Sequence, residues 1–596
     1  MQVGYVLALC ALVGLLAAAQ ADAKDIELVK NGKSEYTIVL SKDASLSERH
    51  AANELKEILF QVSGARVPIA EEGNKSLKKL IVLGDSGVLR WLKVPVDFQD
   101  LGDEGFAIKT AGPHLVIAGG RLRGTMYGVY TFLDEVLGCR WYSSKVSFIP
   151  KKRTITLKSL DIVQKPDFEY REPFYRDAFN ADWAARNRVN SSSSTLDEAR
   201  GGKVEYYKFV HTFSELVPLD KYWSDHPEYF SMINGKRTND HTQLCMSNPE
   251  VVKIATQTVL RWIEERPGAK IYSVSQNDWY NNCQCDACKA IDAEEGSPSG
   301  LLLRFVNAIA EEVEKTHPDK LIDTLAYQWT EKPPKITKPR HNVRARLCPI
   351  FACEMHEYEK CPNNAGFVSN LQEWAKVTDN LYIWHYNTDF AAYLLPWPDI
   401  DQLVTTIPLY KRTGVRGMFN QGNYSAGGGG FMDELKAYVI ARLLWNTKAD
   451  PKAVREDFLN GYYGKAGKPI GQFLTLLHDK VQTENLHAGI YIGVEAPWLT
   501  HELMAESNRL FDEAEKLADD ADVLERVKHS RLSLEYVDLL QTINHIGAHG
   551  TPEQKAETLQ RLEAFIKECE ADGITELNEG MPIRTRAEQL AGPLRG

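Results

Sequence analysis

The residues best suited to acid–base chemistry follow a short apolar segment near the middle of the chain. Residues 271–278 read Ile-Tyr-Ser-Val-Ser-Gln-Asn-Asp. A segment of strand length that ends in an amide and a carboxylate is typical of the ligand-facing end of a buried barrel strand. Asp278 is therefore the leading candidate for a proton donor and acceptor. The competing interpretation is that Asn277 and Asp278 terminate a strand and cap the next turn.

A loop rich in cysteine comes directly after this segment. The chain has ten cysteines, and six of them fall between Cys283 and Cys361 in loops that would follow two different strands. Disulfide bonds between these loops are the first interpretation, since an exported protein can form them. The alternative is a metal site. Its ligands would be Cys283, Cys285 and Cys288, with a fourth from Cys353, Cys361 or His356.

Length and composition indicate the class of protein that must position these residues. A chain of 596 residues with 43% hydrophobic and 25% charged residues is typical of a soluble globular protein of roughly three or four domains. The net charge of −11 argues against nucleic acid or an anionic membrane as the main partner. Nothing in the sequence indicates an oligomeric state, and no cofactor is predicted.

The first residues have the pattern of a secretory signal peptide. An apolar segment spans residues 3–19, and small residues follow it in two Ala-x-Ala sequences. This pattern predicts that residues 1–23 are removed and that the mature chain begins at Lys24. No later stretch is long and apolar enough to span a bilayer. The expected location is therefore secreted or periplasmic.

The mature chain divides into three predicted domains. Residues 24–165 alternate short strands with helices and predict a small α/β domain. Residues 166–464 contain eight candidate strands separated by helices, which favours a (β/α)8 barrel over an open sheet. The strands are expected at 168–176, 205–211, 242–246, 270–275, 321–327, 343–350, 381–386 and 415–421. Residues 465–596 have helical apolar spacing, and the last twenty residues are expected to be loosely held.

In such a barrel, the site forms at the carboxyl ends of the strands. These ends carry aromatic and hydrogen-bonding side chains, which suit the apolar faces and hydroxyl edges of a sugar ring. We therefore expect an oligosaccharide or glycan as the ligand. The glycine-rich run at residues 427–430 is expected at the same rim, as a lid or as slack chain. The candidate residues are Arg176, His211, Asn277, Asp278, Trp279, Tyr327, Trp329, His356, Trp384, His385, Tyr386, Gln421 and Asn423.

Several segments resemble known families. The helix sequence Gly124-Thr-Met-Tyr-Gly-Val-Tyr-Thr-Phe-Leu resembles the N-terminal domain of α-glucuronidases and family 20 β-hexosaminidases. Val274-Ser-Gln-Asn-Asp-Trp, Cys283-Gln-Cys-Asp-Ala-Cys and Ile383-Trp-His-Tyr resemble domain-of-unknown-function family 4838, part of which is classified as glycoside hydrolase family 163. This resemblance covers nearly the whole mature chain. It implies a glycoside hydrolase-like barrel.

The resemblance also implies a mechanism. Characterised relatives are endo-β-N-acetylglucosaminidases, which are thought to retain configuration through attack by the substrate's own acetamide. Carried over to this chain, Asp278 would be the acid and base, Asn277 would orient the acetamide, and Tyr327 and Tyr386 would be hydrogen-bond partners.

The same resemblance indicates where this chain differs from its relatives. Acidic residues commonly stand in the family where this chain has Phe351, His385 and Asn420. Three rim carboxylates would then be replaced. Three functions stay open at this point: a glycosidase that works through Asp278, an inactive protein that binds carbohydrate on the same scaffold, and a metal-dependent hydrolase that uses the cysteine loop and His356.

Overall fold

The computed structural model describes residues 25–73 and 78–595. The predicted signal peptide, residues 1–23, lies outside the described residues. No helix among those described is both long and apolar enough to cross a membrane. The predicted boundaries at residues 165 and 464 stay predictions, and the three parts are described in chain order.

The first part is a mixed sheet with helices packed against it. Six strands form the sheet in the order β10-β5-β6-β4-β2-β3. Helix α1 begins after Ser45, whose side chain accepts a hydrogen bond from the Glu48 amide, and it ends at Gly64, which adopts the left-handed conformation with φ of 79°. The elements are β1 (Ile26–Val29), β2 (Tyr36–Leu40), α1 (Leu46–Ser63), β3 (Ile69–Glu71), β4 (Lys79–Leu83), α2 (Gly87–Leu92), α3 (Phe98–Leu101), β5 (Phe106–Ala111), β6 (His114–Gly119), α4 (Gly124–Thr131), β7 (Arg140–Trp141), β8 (Ser147–Phe148), β9 (Ile155–Leu157) and β10 (Asp161–Gln164).

The second part is a TIM-barrel-like array of parallel strands, so the predicted fold class is confirmed. Seven strands pair in the order β11-β19-β18-β17-β16-β15-β12. The first barrel strand therefore lies beside the last, as in a closed barrel. The elements are β11 (Tyr170–Phe174), α5 (Ala181–Arg186), β12 (Tyr206–Tyr207), α6 (Phe213–Leu216), α7 (Leu219–Tyr222), β13 (Met232–Ile233), β14 (Lys236–Arg237), α8 (Pro249–Glu265), β15 (Ile271–Ser273), α9 (Asp286–Glu295), α10 (Pro298–Thr316), β16 (Leu321–Ala326), β17 (Val343–Leu347), α11 (Ala365–Val377), β18 (Leu381–Tyr386), α12 (Ile400–Arg412), β19 (Gly417–Gln421) and α13 (Asp433–Trp445).

The barrel departs from the prediction at its third strand. Residues 242–246 do not join the parallel sheet, and Leu244 makes only an isolated antiparallel bridge to Phe230. The backbone of this segment bonds side chains instead of a neighbouring strand. The Thr242 carbonyl accepts hydrogen bonds from Asn277 Nδ2 at 3.0 Å and from Trp279 Nε1 at 2.8 Å. Strand β12 pairs directly with β15 as a result.

A buried ionic cluster joins the first part to the barrel. Glu104, which precedes β5, bonds Arg171 on β11 through both carboxylate oxygens and bonds Arg123 at 2.8 Å. Asn190 donates a further hydrogen bond to the same carboxylate at 3.0 Å. The Arg171 guanidinium also lies 5.4 Å from the centre of the Trp445 ring. These contacts fix the sheet against the first strand of the barrel.

The third part is helical and ends in a small hairpin that returns to the barrel. Backbone hydrogen bonds of 2.9 Å join Glu579 to Phe390 and Tyr393 to Leu577. The expectation that the last twenty residues are loosely held is therefore wrong, since this hairpin pairs with the barrel loop and α19 buries one apolar face. The elements are α14 (Pro451–Tyr463), α15 (Gly467–Thr483), α16 (His501–Leu517), α17 (Ala521–His549), α18 (Pro552–Ala571), β20 (Glu576–Asn578), β21 (Met581–Pro582) and α19 (Ile583–Arg595).

Candidate active site

A cavity opens at the carboxyl ends of the barrel strands. Its volume of about 370 Å³ falls within the range of small-molecule sites. Residues from β11, β16, β18 and β19 meet there with loops and with the C-terminal hairpin. The walls are mostly aromatic and aliphatic, which suits the apolar face of a sugar ring. The lining residues are Phe174, Phe209, Val210, His211, Asp278, Leu325, Tyr327, Cys348, Ile350, Trp384, Tyr386, Phe390, Phe419, Gln421, Tyr424, Tyr491 and Glu579.

Asp278 is exposed to this cavity and is held by a tyrosine. The Tyr327 hydroxyl donates a hydrogen bond of 2.9 Å to Asp278 Oδ1, and Gln328 Nε2 donates one of 3.0 Å to the same hydroxyl oxygen. Burial, together with the charge of Asp278, raises the pKa of Tyr327. The phenol therefore stays protonated and keeps donating to the carboxylate.

Glu579 supplies a second carboxyl group from a distant part of the chain. It lies at the turn of the β20–β21 hairpin, where Gly580 adopts a φ of 69°. Its Oε1 accepts hydrogen bonds from Gln421 Nε2 at 3.2 Å and from the Tyr424 hydroxyl at 3.3 Å. Burial raises the pKa of Glu579, and the charge of Asp278 adds to this effect. The cavity thus contains two carboxyl groups whose environments differ.

An arginine supports the aromatic floor from below. The Arg346 guanidinium lies 4.3 Å from the centre of the Phe209 ring and 5.0 Å from that of Trp384. Its Nη2 bonds Asp323 at 2.8 Å, and both side chains are fully buried. The ion pair and the cation–π contacts hold the two rings in place. Trp384 Nε1 donates a hydrogen bond of 2.8 Å to Gln421, which links the floor to the partner of Glu579.

His211 is held in a strained conformation beside the cavity. Its φ of 55° lies in the left-handed region, which a residue with a side chain rarely adopts. Its Nδ1 lies 2.8 Å from the Gln276 carbonyl, so this nitrogen carries the proton and donates it. The Nε2 atom is thereby left for another partner.

Six of the residues expected from the sequence line this cavity, and the other seven do not. The six are His211, Asp278, Tyr327, Trp384, Tyr386 and Gln421. Asn277 is the most consequential of the others. Its Nδ2 donates to the Thr242 carbonyl, and its Oδ1 accepts from the Ser214 amide at 3.3 Å. Both ends of the amide are bonded to backbone, so the role of orienting an acetamide is wrong for Asn277.

The remaining six lie elsewhere for simple structural reasons. Trp279 and Trp329 lie next to each other outside the cavity lining, and the Trp329 indole nitrogen donates a hydrogen bond of 3.3 Å to the Trp279 carbonyl. Asn423 is buried and bonds Ser425 at 2.7 Å, while Arg176 is exposed and lies over the Phe179 ring. His356 packs against His487, and His385 points away from the cavity toward α12, 3.1 Å from the Tyr410 hydroxyl.

The three positions at which the sequence resemblance implies replaced carboxylates also lie away from the cavity lining. His385 and Asn420 are fully buried, and Phe351 is exposed on the surface. Burial lowers the pKa of His385 to about 3, so this imidazole is neutral. The expected place of these three residues at the rim is therefore wrong, because none of them lines the cavity.

Sequence reasoning missed most of the cavity walls. Phe390, Tyr491 and Glu579 come from loops or from the C-terminal part, and no strand pattern contains them. Phe209 lies within the strand expected at residues 205–211, of which the structure forms only β12 (Tyr206–Tyr207). Asn578-Glu579-Gly580 is a recognisable turn sequence. Only the docking of that turn onto the loop after β18 brings Glu579 to Asp278.

The glycine-rich run at residues 427–430 packs closely against residues 573–575 and is not a loosely held loop. A Cβ atom added at Gly427 would lie 1.6 Å from the Gly573 carbonyl oxygen, and one added at Gly429 would lie 2.3 Å from the Ile574 side chain. The Gly427 amide also bonds Thr575 Oγ1 at 3.3 Å. Residues 573–575 lead directly into the hairpin that carries Glu579.

We predict that Gly427→Ala lowers the free energy of unfolding by about 3 kcal/mol, because its Cβ atom would overlap the Gly573 carbonyl oxygen and force this loop away from residues 573–575. The matched control is Gly428→Ala in the same loop, where the nearest atom would be an Arg176 side-chain carbon at 3.5 Å. Its left-handed φ costs about 1 kcal/mol but does not shift the hairpin. A urea titration of both variants checks this, and equal losses of unfolding free energy would contradict it.

Solved structures resemble this fold at low sequence identity. The 4-O-methyl-α-glucuronidase BtGH115A of family GH115, described as specific for decorated arabinogalactans, shares 13% identity with a TM-score of 0.56, over 96% of this chain and 80% of that one. CpGH89 from Clostridium perfringens, solved with its substrate GlcNAc-alpha-1,4-galactose, shares 11% identity with a TM-score of 0.49, over 93% and 70%. The fold of this chain is thus similar to that of the GH115 enzyme.

The family is defined by sequence. The family model described as "Domain of unknown function (DUF4838)" matches residues 141–475, more than half of the chain, and the protein belongs to this family. Residues 24–132 match a second model, described as "Glycosyl hydrolase family 67 N-terminus". No curated protein matches the sequence.

Proposed function

We propose that this protein is a glycoside hydrolase in which Asp278 and Glu579 act together on a glycan. The observation that carries the proposal is that two carboxyl groups, far apart in the sequence, line one cavity with aromatic walls. Paired carboxyl groups are the usual catalytic device of glycosidases. Aromatic rings next to them bind the apolar faces of sugars.

The two carboxyl groups have different environments and take different roles. Glu579 takes the role of proton donor that the sequence resemblance gave to Asp278, because its raised pKa favours the protonated form. Asp278 is the carboxylate that stabilises positive charge on the sugar, because the hydrogen bond from the Tyr327 hydroxyl to its Oδ1 atom holds it in position. Gln421 and Tyr424 orient the donor, and Tyr327 orients the carboxylate.

The cavity suits an uncharged sugar better than a uronic acid. Among the described residues that line it there are two acidic side chains and no lysine or arginine. Arg346 lies beneath the floor and is neutralised by Asp323. A glucuronate would therefore meet like charge without a cation to pair with it.

The substrate we propose is a glycan that contains β-linked N-acetylglucosamine, as the family resemblance of the sequence implies. In a retaining reaction assisted by the substrate, the acetamide oxygen attacks the anomeric carbon. Since the Asn277 amide is bonded to backbone, Asp278 takes the role of orienting the acetamide. Its carboxylate can accept a hydrogen bond from the acetamide N–H group. Glu579 then protonates the leaving oxygen.

Export is part of the proposal. The apolar segment at residues 3–19, followed by small residues, supports a cleaved signal peptide. The enzyme would then meet its glycan in the periplasm or outside the cell. N-terminal sequencing of the protein recovered from its own host tests this, with Lys24 expected as the first residue and an intact Met1 as the contrary result.

The experiment that tests the function is a panel of substrates. We expect turnover of a complex N-glycan or of an aryl β-N-acetylglucosaminide, and no turnover of the matching aryl glucuronides. Asp278→Asn should abolish turnover, while Asp240→Asn, which removes an exposed carboxylate from a nearby loop, should not. Saturable binding of the glycan without turnover would instead show a carbohydrate-binding protein, which is the alternative function.

A further inference from the structure

Two groups of cysteine and histidine side chains lie outside the candidate active site, each with its ligand atoms within 4.8 Å of one another. The first is Cys245, Cys283, Cys285 and Cys288, and the second is Cys353, His356, Cys361 and His487. All of these cysteines are free and buried. The expected disulfide bonds between the loops are therefore absent from the described residues. The expected mixed metal site is also wrong in its membership, because the two loops contribute to separate groups.

The distances in the first group match a zinc tetrahedron. Zinc–sulfur bonds of about 2.3 Å at tetrahedral angles place neighbouring sulfur atoms about 3.8 Å apart. The Cys245 sulfur lies 3.7 Å from that of Cys285 and 3.9 Å from that of Cys288. Three ligands come from the loop after β15 and the start of α9, and Cys245 comes from the segment before α8.

The surroundings of the first group suit bound thiolates. The Cys283 sulfur accepts a hydrogen bond from the Met232 amide at 3.4 Å and lies 3.5 Å from Arg237 Nη1. The Ser247 hydroxyl lies 3.1 Å from the Cys288 sulfur. Four thiolates around a divalent cation leave a net charge of about −2, which a buried site must offset with such donors and cations.

The second group matches a mixed tetrahedron. Zinc–nitrogen bonds of about 2.0 Å combined with zinc–sulfur bonds of about 2.3 Å give a nitrogen–sulfur spacing of about 3.5 Å. The His487 Nδ1 atom lies 3.4 Å from the Cys353 sulfur and 3.6 Å from the Cys361 sulfur. The His356 Nδ1 atom lies 3.5 Å from Cys353. Asn364 braces the loop through both its amide atoms, bonded to the Cys353 backbone.

We propose that the protein binds two zinc ions, one at the four-cysteine group and one at the group of two cysteines and two histidines. Each ion has four protein ligands and no open position, which is the arrangement of a structural site. Thiolate and imidazole ligands in a tetrahedron favour zinc over magnesium or calcium. On binding, the thiols release their protons and the histidines bind in the neutral form.

Both sites hold segments that reach the cavity. Cys283 follows Asp278 by five residues, so the first zinc fixes the loop that leaves Asp278. The second zinc joins the loop after β17 to His487, four residues before the cavity residue Tyr491. A hydrogen bond of 3.0 Å from the Glu354 amide to the Ala488 carbonyl lies beside this junction. The zinc sites would therefore keep two walls of the cavity in position, and their existence does not depend on the proposed activity.

Metal analysis of the full-length purified protein tests the proposal. Inductively coupled plasma mass spectrometry should find two zinc ions per chain. Intact mass measurement without reductant should show all nine thiols of the mature chain reduced. Cys285→Ser and His487→Gln should each retain one zinc ion, while Cys569→Ser, a buried cysteine outside both groups, should retain two. Replacement by Co²⁺ should give strong visible absorption of tetrahedral cobalt, with sulfur charge-transfer bands more intense at the four-cysteine site.

Three results would overturn the proposal. Protein without metal and with free thiols would show that the groups are only packed cysteines. A mass lower by the hydrogens lost in disulfide bonds would show that they are oxidised pairs. Zinc that stays at two ions in Cys285→Ser and His487→Gln would place the metal elsewhere. If a variant does not fold, the zinc and thiol content of the wild-type protein still decides whether the two groups bind metal.

Discussion

Glu579→Gln is expected to lower kcat/KM by about a hundred- to ten-thousand-fold on substrates with a poor leaving group. Glutamine keeps the shape of the side chain and its contacts with Gln421 and Tyr424 in the cavity, but it cannot give a proton to the departing oxygen. The loss should be much smaller on a dinitrophenyl glycoside, because dinitrophenolate leaves without protonation. An equal loss on both substrates would contradict the role of Glu579 as the acid.

The pH profile gives an independent test of the same residue. Burial, with the charge of Asp278, raises the pKa of Glu579 above its ordinary value of 4.5. A general acid works in its protonated form, so wild-type kcat/KM should fall as pH rises through this raised pKa. That alkaline limb should vanish in Glu579→Gln. Glu576→Gln, which removes a carboxylate outside the cavity lining whose charge also raises the pKa of Glu579, should keep this limb and move it to lower pH.

Glu104→Gln is expected to lower the free energy of unfolding by about 3–5 kcal/mol, because it leaves two buried arginines with no compensating charge. Arg171 is fully buried, and Arg123 is nearly so. A urea titration followed by tryptophan fluorescence measures the change. The matched control is Asp100→Asn, which breaks an exposed pair with Lys165 and should cost no more than about 1 kcal/mol. A loss below 1 kcal/mol in Glu104→Gln would contradict the prediction.

The same cluster predicts how stability depends on pH. Burial opposes ionisation of Glu104, but Arg171 and Arg123 outweigh it and lower the pKa of Glu104 from 4.5 to about 2. A folded-state pKa below the unfolded one means that the unfolded chain binds the proton more tightly. The contribution of the ionised Glu104 carboxylate to the free energy of unfolding is therefore complete above about pH 4.5 and is lost as pH falls toward 2. It amounts to about 3 kcal/mol, and in Glu104→Gln this acid-dependent loss should disappear.

The sequence alone determined the barrel and one side of the site. Strand and helix periodicity predicted seven of the strands that pair in the parallel sheet, because local patterning reflects which faces are buried. The rule that sites form at the carboxyl ends of barrel strands brought Asp278, Tyr327, Trp384, Tyr386 and Gln421 together correctly in one cavity.

The tertiary structure decided the rest, for two physical reasons. First, a side chain at a strand end can turn either toward the ligand space or toward the backbone, and Asn277 and His385 turned away because Thr242 and Tyr410 offered hydrogen bonds. Second, contacts between distant segments leave no local pattern. Glu579 shares a cavity with Asp278, and His487 lies next to Cys353, only because of where the C-terminal part docks. No local spacing in the chain encodes this docking.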